Sequence, residues 1–411
     1  MMNLKLTYKT LWMLLVGTLL MTSCIEDFVA DIDEKDQQLL VVEGSIYSDS
    51  LCIFYLGSTL PLGEGYHWSD SGFGGEYGVS NLYASQMIFS KVEVSVKGSD
   101  GISFLGEYNP NYGGYAGVAY QVQVGTLKRG VKYWLQVKLD SLTYESEPQE
   151  PIFAVPIDSL SYAQEREDLE VDIQVSTASS ETDEPQYTRW EYEEWWEIYT
   201  PWTAMMEYDP QTDKIIDVAV KKHHGWATAL SESHISVSSE PFKDNRLQRY
   251  RLYSIDHTDN RLQTCYYTRV KEYAISKAEY EYEDLRNRQS FQMGGLFTPQ
   301  PSELPTNIHC LEEDRKAIGF VGVRGSVATS EMYIRKGKIK YTPLRTPYMV
   351  SEDLVKAKSW SELYWAGNQV LTYDPPYKDG EANVQWCPTW CIDCRNSFWK
   401  CTLQRPSFWR E

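Results

Sequence analysis

Apolar and polar residues alternate along much of the first third of the chain. Residues 91–97 are the clearest case, because every second position is a valine and the positions between are polar or charged. A period of two predicts a strand with one buried face. The GSDG segment at residues 98–101 then predicts a hairpin turn, since Asp-Gly suits the positive φ that such turns need. Further strands are predicted at residues 40–46, 51–56, 120–124 and 133–139.

A proline cluster predicts a domain boundary near residue 155. Pro148, Pro151 and Pro156 fall within nine positions of one another, and proline cannot donate a backbone hydrogen bond to a sheet. The β pattern resumes after them, with strands predicted at residues 171–175, 249–255, 317–323 and 331–334. The first domain is therefore predicted to span residues 39–155 and the second residues 156–411.

One helix is predicted inside the second domain, near residues 277–292. Ser276 and Glu279 have the spacing of a capping box, in which the serine accepts a backbone N–H bond and the glutamate reaches back. Gly294 and Gly295 end the segment. The predicted fold class is mostly β, with two β-sandwich domains of immunoglobulin-like or transthyretin-like type, the second with one inserted helix.

The N-terminus has the features of an export signal. Lys5 and Lys9 precede an apolar run over residues 11–21, and small residues lie just before Cys24. This run is shorter than the roughly 20 apolar residues that a membrane-spanning helix needs. Residues 1–23 are therefore predicted to be a lipoprotein signal peptide, with Cys24 as the lipidated N-terminus.

An acidic segment follows the predicted lipidation site, over residues 24–38. Glu26 and Asp27 come directly after the cysteine, and further acidic residues follow. The segment resembles the acidic signal that sends lipoproteins of Bacteroidota to the outer face of the outer membrane. A simple solvated tether accounts for the same residues, and the two interpretations are compatible.

The net charge restricts the partners. The chain has 39 Lys and Arg against 58 Asp and Glu, a formal charge of −19 at pH 7. Nucleic acid is not expected as a partner, because binding to phosphates needs basic surfaces. Adsorption to anionic lipid is disfavoured for the same reason, so the predicted lipid chains must hold the protein at the membrane.

A Gly- and Ser-rich loop over residues 60–83 interrupts the first domain. It contains the aromatic residues Tyr66, Trp68, Phe73 and Tyr77. Aromatic side chains on a mobile loop can close over a partner, so these four are candidate partner-binding residues. The alternative is a loop that folds these side chains onto its own domain.

Cysteines are concentrated at the C-terminus. After lipidation of one of the eight cysteines, seven remain, so at most three disulfides can form. Cys387, Cys391, Cys394 and Cys401 have spacings that also suit a zinc site. Export favours disulfides over zinc, and we predict that at least two of these four are bonded, with Cys310 as a further candidate partner.

Catalytic motifs are missing from the sequence. It has no P-loop, no metalloprotease helix motif, no nucleophile elbow and no dinucleotide fingerprint. The acidic and aromatic run over residues 189–197 could supply carboxylates for glycoside hydrolysis, but neighbours on one strand cannot straddle a substrate. A half-buried strand with an acidic outer face is favoured there. No catalytic residue, metal site or cofactor is predicted.

Several segments in a fixed order resemble the Bacteroidota lipoprotein family called domain of unknown function 4249. They are Cys24 with its acidic follow-on, LVVEGSI at 40–46, KVEVSVKGSDG at 91–101, YWLQVKLDSLTYES at 133–146, GGLFTPQP at 294–301, LPTNI at 304–308, IGFV at 318–321, CIDC at 391–394 and RPSFW at 405–409. The resemblance implies an outer-membrane lipoprotein, often encoded beside a TonB-dependent transporter. It implies no established activity, and the run over residues 189–202 departs from the family pattern.

Three functions follow as hypotheses. The first is a surface binding or accessory subunit that works with a TonB-dependent β-barrel transporter and an unidentified ligand. The second is a hydrolase with loop-borne carboxylates, and the third is a structural or adhesive envelope module. An exposed aromatic patch would favour the first, a buried carboxylate pair in a cleft the second, and a featureless acidic surface the third.

Overall fold

A computed structural model describes residues 39–58, 91–112, 118–179, 184–231, 234–292, 304–312, 315–343, 347–374, 383–396 and 401–410. The predicted signal peptide, lipidated Cys24 and the acidic tether lie outside these residues. The loop over residues 60–83, with Tyr66, Trp68, Phe73 and Tyr77, lies outside them as well. Those predictions stay predictions.

The first β unit is built from alternating segments. Its strands are β1 (Leu40–Glu43), β2 (Ser45–Tyr47), β3 (Ser50–Ser58), β4 (Val92–Gly98), β5 (Ser103–Tyr108), β6 (Val118–Val124), β7 (Tyr133–Leu139) and β8 (Leu142–Ser146). Strand β5 changes partner along its length, because residues 103–105 pair with β4 and residues 106–108 pair with β6. The two halves of the sheet therefore share one core, which includes Phe54, Val96, Val122 and Leu135.

The second half of the chain begins with β9 (Ile157–Ala163), β10 (Val171–Thr177), β11 (Tyr187–Tyr199), β12 (Met206–Asp209), β13 (Lys214–Asp217), β14 (His224–Leu230), β15 (Ile235–Ser238), β16 (Tyr250–Ile255) and β17 (Cys265–Ile275). Strands β16, β10 and β9 form one sheet. Strands β14, β11 and β17 belong to another, which we call the second sheet, and β15 also pairs with β11. These two sheets together form the second β unit. The inward residues of β10 and β11, among them Ile173 and Trp196, pack in a shared core between these sheets. Helix α1 (Lys277–Gln292) follows β17 directly.

Three short strands return from the second half of the chain to the first β unit. They are β18 (Ile308–Cys310), β19 (Ala317–Ile318) and β20 (Gly322–Arg324), which pair with β8, β1 and β2. Strand β21 (Val327–Arg335) then joins β17 in the second sheet. The sequence predicts that all of residues 156–411 belong to the second domain, whereas these pairings put residues 308–324 against the first. Strands β18 and β19 occupy the open edges that β8 and β1 would otherwise leave unpaired.

A small C-terminal module completes the described chain. It contains α2 (Glu352–Ala357), α3 (Trp360–Trp365), β22 (Asn368–Asp374) and β23 (Asn383–Pro388), and it packs with the β12–β13 hairpin around Tyr208, Leu363 and Trp386. Short 3₁₀ turns lie at Pro110–Tyr112, Lys243–Asn245, Asn260–Leu262, Thr389–Cys391 and Cys394–Asn396. The sequence predicts one helix in this half of the chain, and the structure contains α2 and α3 besides it.

The architecture is mostly β, as predicted. Across the described residues, no helix combines the length and the apolar character that crossing a bilayer requires.

Candidate functional site

A cluster of charged side chains is buried where the first β unit, helix α1 and the second sheet meet. We call Tyr47, Arg189, Glu279, Glu283 and Arg324 the junction cluster. Tyr47 and Arg324 are register partners in the parallel pairing of β2 with β20, so both side chains reach the same place. The Arg324 guanidinium donates to the Tyr47 hydroxyl and to the Glu279 carboxylate. Only 1% of Arg324 is exposed.

Aromatic rings enclose the Arg324 side chain. The centre of its guanidinium lies 4.9 Å from the Tyr47 ring centroid and 5.3 Å from that of Tyr273. A guanidinium stacks well on aromatic faces while its edge hydrogen-bonds to a carboxylate. The arrangement therefore holds the buried cation in one orientation.

A second ion pair extends the cluster into the second sheet. Arg189 on β11 lies 3.2 Å from Glu283, which is one helical turn beyond Glu279 on α1. Arg189 also lies 3.1 Å from Glu191 on its own strand. Ser236 on β15 donates to Glu283, and His234 contacts both Arg189 and Glu191. The cluster thus links three elements that are far apart in sequence.

Gly322 makes room for one of these carboxylates. A Cβ atom at this position would lie 2.2 Å from a carboxylate oxygen of Glu279. Any larger residue would push Glu279 away from Arg324, so the glycine is required by the close approach of α1 to β20.

Burial sets the ionisation of the cluster. It raises the pKa of the Glu279 carboxyl, and the neighbouring Arg324 guanidinium opposes that shift. Burial and the Arg189 charge lower the pKa of His234 to about 4. His234 is therefore neutral at physiological pH.

A cleft of about 350 Å³ opens beside the junction cluster. We call it the junction cleft. Strands β1 to β3 form one wall with Ile53 and Tyr55, and α1 forms another with Tyr282 and Arg286. Arg286 lies 3.8 Å from Glu43 across the rim, and this pair is partly exposed. The cleft can accept a polar ligand or a segment of a partner between two units of the fold.

The capping-box prediction was half wrong. The Ser276 hydroxyl accepts from the Glu279 backbone N–H at 3.1 Å, as predicted. The Glu279 carboxylate does not reach back to the cap, because it pairs with Arg324 instead. Tertiary ion pairing outweighs the local bond, so the role of Glu279 in the junction is not apparent from the sequence.

The acidic and aromatic run is a half-buried strand with an acidic outer face, as favoured from the sequence. Trp190, Glu194 and Trp196 of β11 are buried, and the alternate residues lie on the other face. The Glu194 carboxylate accepts two bonds from Arg261, at 2.8 and 3.0 Å, and one from the Tyr266 hydroxyl at 2.6 Å. This carboxylate is fully engaged inside the core.

The tail cysteines are divided between one disulfide and two buried thiols. Cys394 and Cys401 are bonded, with an S–S distance of 2.01 Å. Cys387 and Cys391 are free and share one core cluster, and burial raises the pKa of the Cys387 thiol to about 12. Cys310 lies apart from them, as a free thiol on β18. Among the described residues, no group of three or more His, Cys, Asp or Glu side chains could hold a metal ion.

The C-terminal tail pairs with the edge strand β14, and its last residues lie on the outer face of the second sheet. Thr402 and Trp226 exchange backbone hydrogen bonds of 2.7 and 2.8 Å. Phe408 packs edge-on against Trp195, and the Tyr333 hydroxyl donates to its carbonyl at 2.9 Å. The disulfide thus holds a tail whose aromatic residues cover the sheet.

Gly225→Ala is expected to destabilise this attachment. The new methyl group would lie 2.5 Å from the Thr402 carbonyl oxygen and 2.7 Å from both sulfurs of the disulfide. We expect a loss of about 1–3 kcal/mol in the free energy of unfolding, measured in urea. Gly125→Ala is the control, because its Cβ would meet nothing closer than 3.4 Å. Equal stability of the two variants would contradict this account of the tail.

Comparison with known proteins gives a family and no activity. The family model described as Domain of unknown function (DUF4249) matches residues 25–330, which is most of the chain. The search of curated proteins found no match. All five residues of the junction cluster lie within the matched segment, whereas the cysteine-rich tail lies beyond it. The chain belongs to the DUF4249 family.

Proposed function

We propose that this protein is a surface-exposed, lipid-anchored outer-membrane subunit with a binding or accessory role beside a TonB-dependent β-barrel transporter. The junction cleft is the proposed contact for its partner or ligand. The observation that carries the proposal is a cleft between two β units whose buried charges are already paired and positioned.

The location and chemistry of the junction cleft support binding. Ligand sites commonly form where domains meet, from apolar walls and a few fixed polar groups. Here Ile53 and Tyr55 supply an apolar wall opposite the charges of α1. Because the cluster is held by ion pairs between the units, the cleft needs little reorganisation to accept a partner.

The proposed lipid anchor is argued from the sequence. Cys24 follows an export signal, and the acidic residues behind it resemble the surface signal of Bacteroidota lipoproteins. We also infer that the two β units are immunoglobulin-like or transthyretin-like sandwiches. The core between the two halves of the first sheet and the core between the two sheets of the second unit support this inference. The loop with Tyr66, Trp68, Phe73 and Tyr77 is a second proposed contact.

Reversing one charge on the cleft rim tests the proposal. Arg286→Glu places a negative charge beside Glu43, and its side chain is 34% exposed, so folding should tolerate the change. We expect about tenfold lower recovery of a β-barrel partner in pull-downs from native outer membrane, the loss that ~1.4 kcal/mol of contact energy gives. Mass spectrometry of the recovered bait should show acylation at Cys24.

Arg166→Glu is the matched control. Arg166 is also an arginine paired with a carboxylate, Asp168, but both are well exposed on the second β unit. Its partner recovery should equal that of the wild type. If Arg286→Glu recovers as much partner as Arg166→Glu, the junction cleft is not the contact.

A hydrolase is the second candidate, because the junction contains a buried carboxylate pair. Glu279 and Glu283 both line the cleft. They lie one turn apart on the same helix and each has its own arginine, so they do not flank a common bond as glycosidase carboxylates do. Turnover of aryl glycosides by the wild type and not by Glu283→Gln would favour this candidate.

A further inference from the structure

A second cleft lies on the opposite side of the second β unit from its core. It opens on the outer face of the sheet, where the ends of β11, β14, β17 and β21 meet the C-terminal tail, and its volume is about 450 Å³. We call it the tail cleft. It shares no lining residue with the junction cleft.

Positive charge is concentrated in the tail cleft. Its cationic lining residues are Arg335, Lys336, Arg405 and Arg410, in a chain of net charge −19. The carboxylate among its lining residues, Glu197, is 2.8 Å from His224. Arg335, Lys336 and Arg410 take part in none of the ion pairs within the described ranges. A cleft lined mainly by one sign of charge concentrates the potential and attracts ligands of the opposite sign.

Aromatic side chains form the wall of the cleft. The Tyr199 and His224 rings stack with centroids 4.1 Å apart and an interplanar angle of 8°. Trp226 and Trp409 meet edge to face, with centroids 6.4 Å apart. Tyr199, which is 39% exposed, is the ring of this wall that offers apolar area to a ring-shaped ligand.

One buried donor in this wall lacks an acceptor. The Trp226 indole N–H is buried, and no acceptor contacts it in the part of the chain that the structure describes. Leaving a buried donor unpaired is unfavourable. This donor is therefore a polar group that the described residues of the wall leave unsatisfied.

We propose that the tail cleft binds an organic anion, whose carboxylate, sulfate or phosphate group pairs with Arg335 and Lys336 and whose ring packs on the aromatic wall. Arginine favours this role because its guanidinium binds an oxyanion with two parallel hydrogen bonds. The site is separate from the junction cleft, so the proposal of anion binding does not depend on the proposed transporter contact.

Titration calorimetry of the purified full chain in detergent tests this site. The probes are glucose 6-sulfate, glucose 6-phosphate, glucuronate, glucose and inorganic sulfate. We expect the charged sugars to bind, with affinity that falls as salt rises, and glucose to show no heat. The strongest of the charged sugars identifies the anion class. Absence of binding by every charged sugar at millimolar concentration overturns the proposal, and inorganic sulfate binding as tightly as the sugar sulfate overturns the role of the aromatic wall.

A pair of double variants locates the binding. Arg335→Gln with Lys336→Gln should weaken the best probe at least tenfold. Lys338→Gln with Lys340→Gln removes the same charge from the adjacent turn, outside the cleft lining, and should change affinity less than twofold. Equal affinities of the two double variants would place the ligand elsewhere. If the first double variant does not fold, Lys336→Gln alone gives the comparison, and undiminished binding there overturns the assignment.

Discussion

Replacing Arg324 with methionine is expected to lower the free energy of unfolding by about 3–5 kcal/mol. The substitution leaves the Glu279 carboxylate, which is 4% exposed, without its cation in the junction. It also leaves the Tyr47 hydroxyl without its donor. Urea unfolding of the full chain, monitored by tryptophan fluorescence, measures the loss.

A double variant separates the loss of the ion pair itself from the cost of leaving the Glu279 carboxylate buried without a cation. Arg324→Met combined with Glu279→Leu removes both charges, and an apolar pair of similar size should regain most of the lost stability. Arg166→Met is the control, because its pair with Asp168 is exposed and should contribute less than about 1 kcal/mol. A loss below about 1 kcal/mol in Arg324→Met would show that the junction pair does not hold the units together.

Replacing Glu272 with glutamine is expected to stabilise the protein near pH 8. Glu272 on β17 is 0% exposed, and burial raises the pKa of its carboxyl to about 8, with a weaker opposing effect from the Val155 backbone. Its strand partners are Trp190 and Ala328, so its surroundings in the sheet are apolar. The carboxyl therefore keeps its proton in the folded protein at neutral pH.

The pH dependence follows from the raised pKa. Between its ordinary value of 4.5 and about 8, the unfolded chain loses the Glu272 proton while the folded chain keeps it. The unfolded state is favoured by that ionisation, so wild-type stability falls as pH rises through this window. Glu272→Gln removes this slope and should gain on the order of 2–4 kcal/mol at pH 8, with little change at pH 4.5.

Urea titrations at several pH values between 4.5 and 8.5 give the measurement. Glu167→Gln is the control, because Glu167 is well exposed and its loss should leave the pH profile unchanged. Parallel profiles for Glu272→Gln and the wild type would mean that Glu272 ionises normally in the folded state.

Local alternation was sufficient to predict the strands that have one face in a core. Residues 171–175 are the first five residues of β10, in which every second residue is buried. Residues 133–139 form β7. A period of two needs no knowledge of the partner strand. The turn at residues 98–101 was predictable for the same reason, and Gly101 N–H donates to the Gly98 carbonyl at 2.9 Å.

Long-range pairing could not be predicted from local pattern. Residues 317–323 suggested one strand, but β19 and β20 are separate short strands that pair in parallel with β1 and β2. Their partners lie more than 270 positions earlier in the chain. Nothing in a short window specifies such a partner, so the return of this segment to the first β unit was missed.

The candidate site depends on the same long-range contacts. Glu279 had a satisfactory local role in the cap, and only the position of β20 reveals Arg324 beside it. Helix α3 was not predicted, although Ser359 and Glu362 have the spacing of a capping box in the sequence. In the structure they form a complete one. The bond from Cys394 to Cys401 could not be chosen from spacing, since four cysteines allow several pairings.

Site-specific photo-cross-linking from the junction cleft tests the central claim most directly. A photoreactive phenylalanine analogue at Tyr55, on the apolar wall of the cleft, is irradiated in intact cells, with the same analogue at the exposed Tyr108 as the control. We expect a covalent adduct with an outer-membrane β-barrel from position 55 and none from position 108. An adduct from position 108 alone, or from neither position in cells that contain the folded protein, would contradict a binding role for the junction cleft.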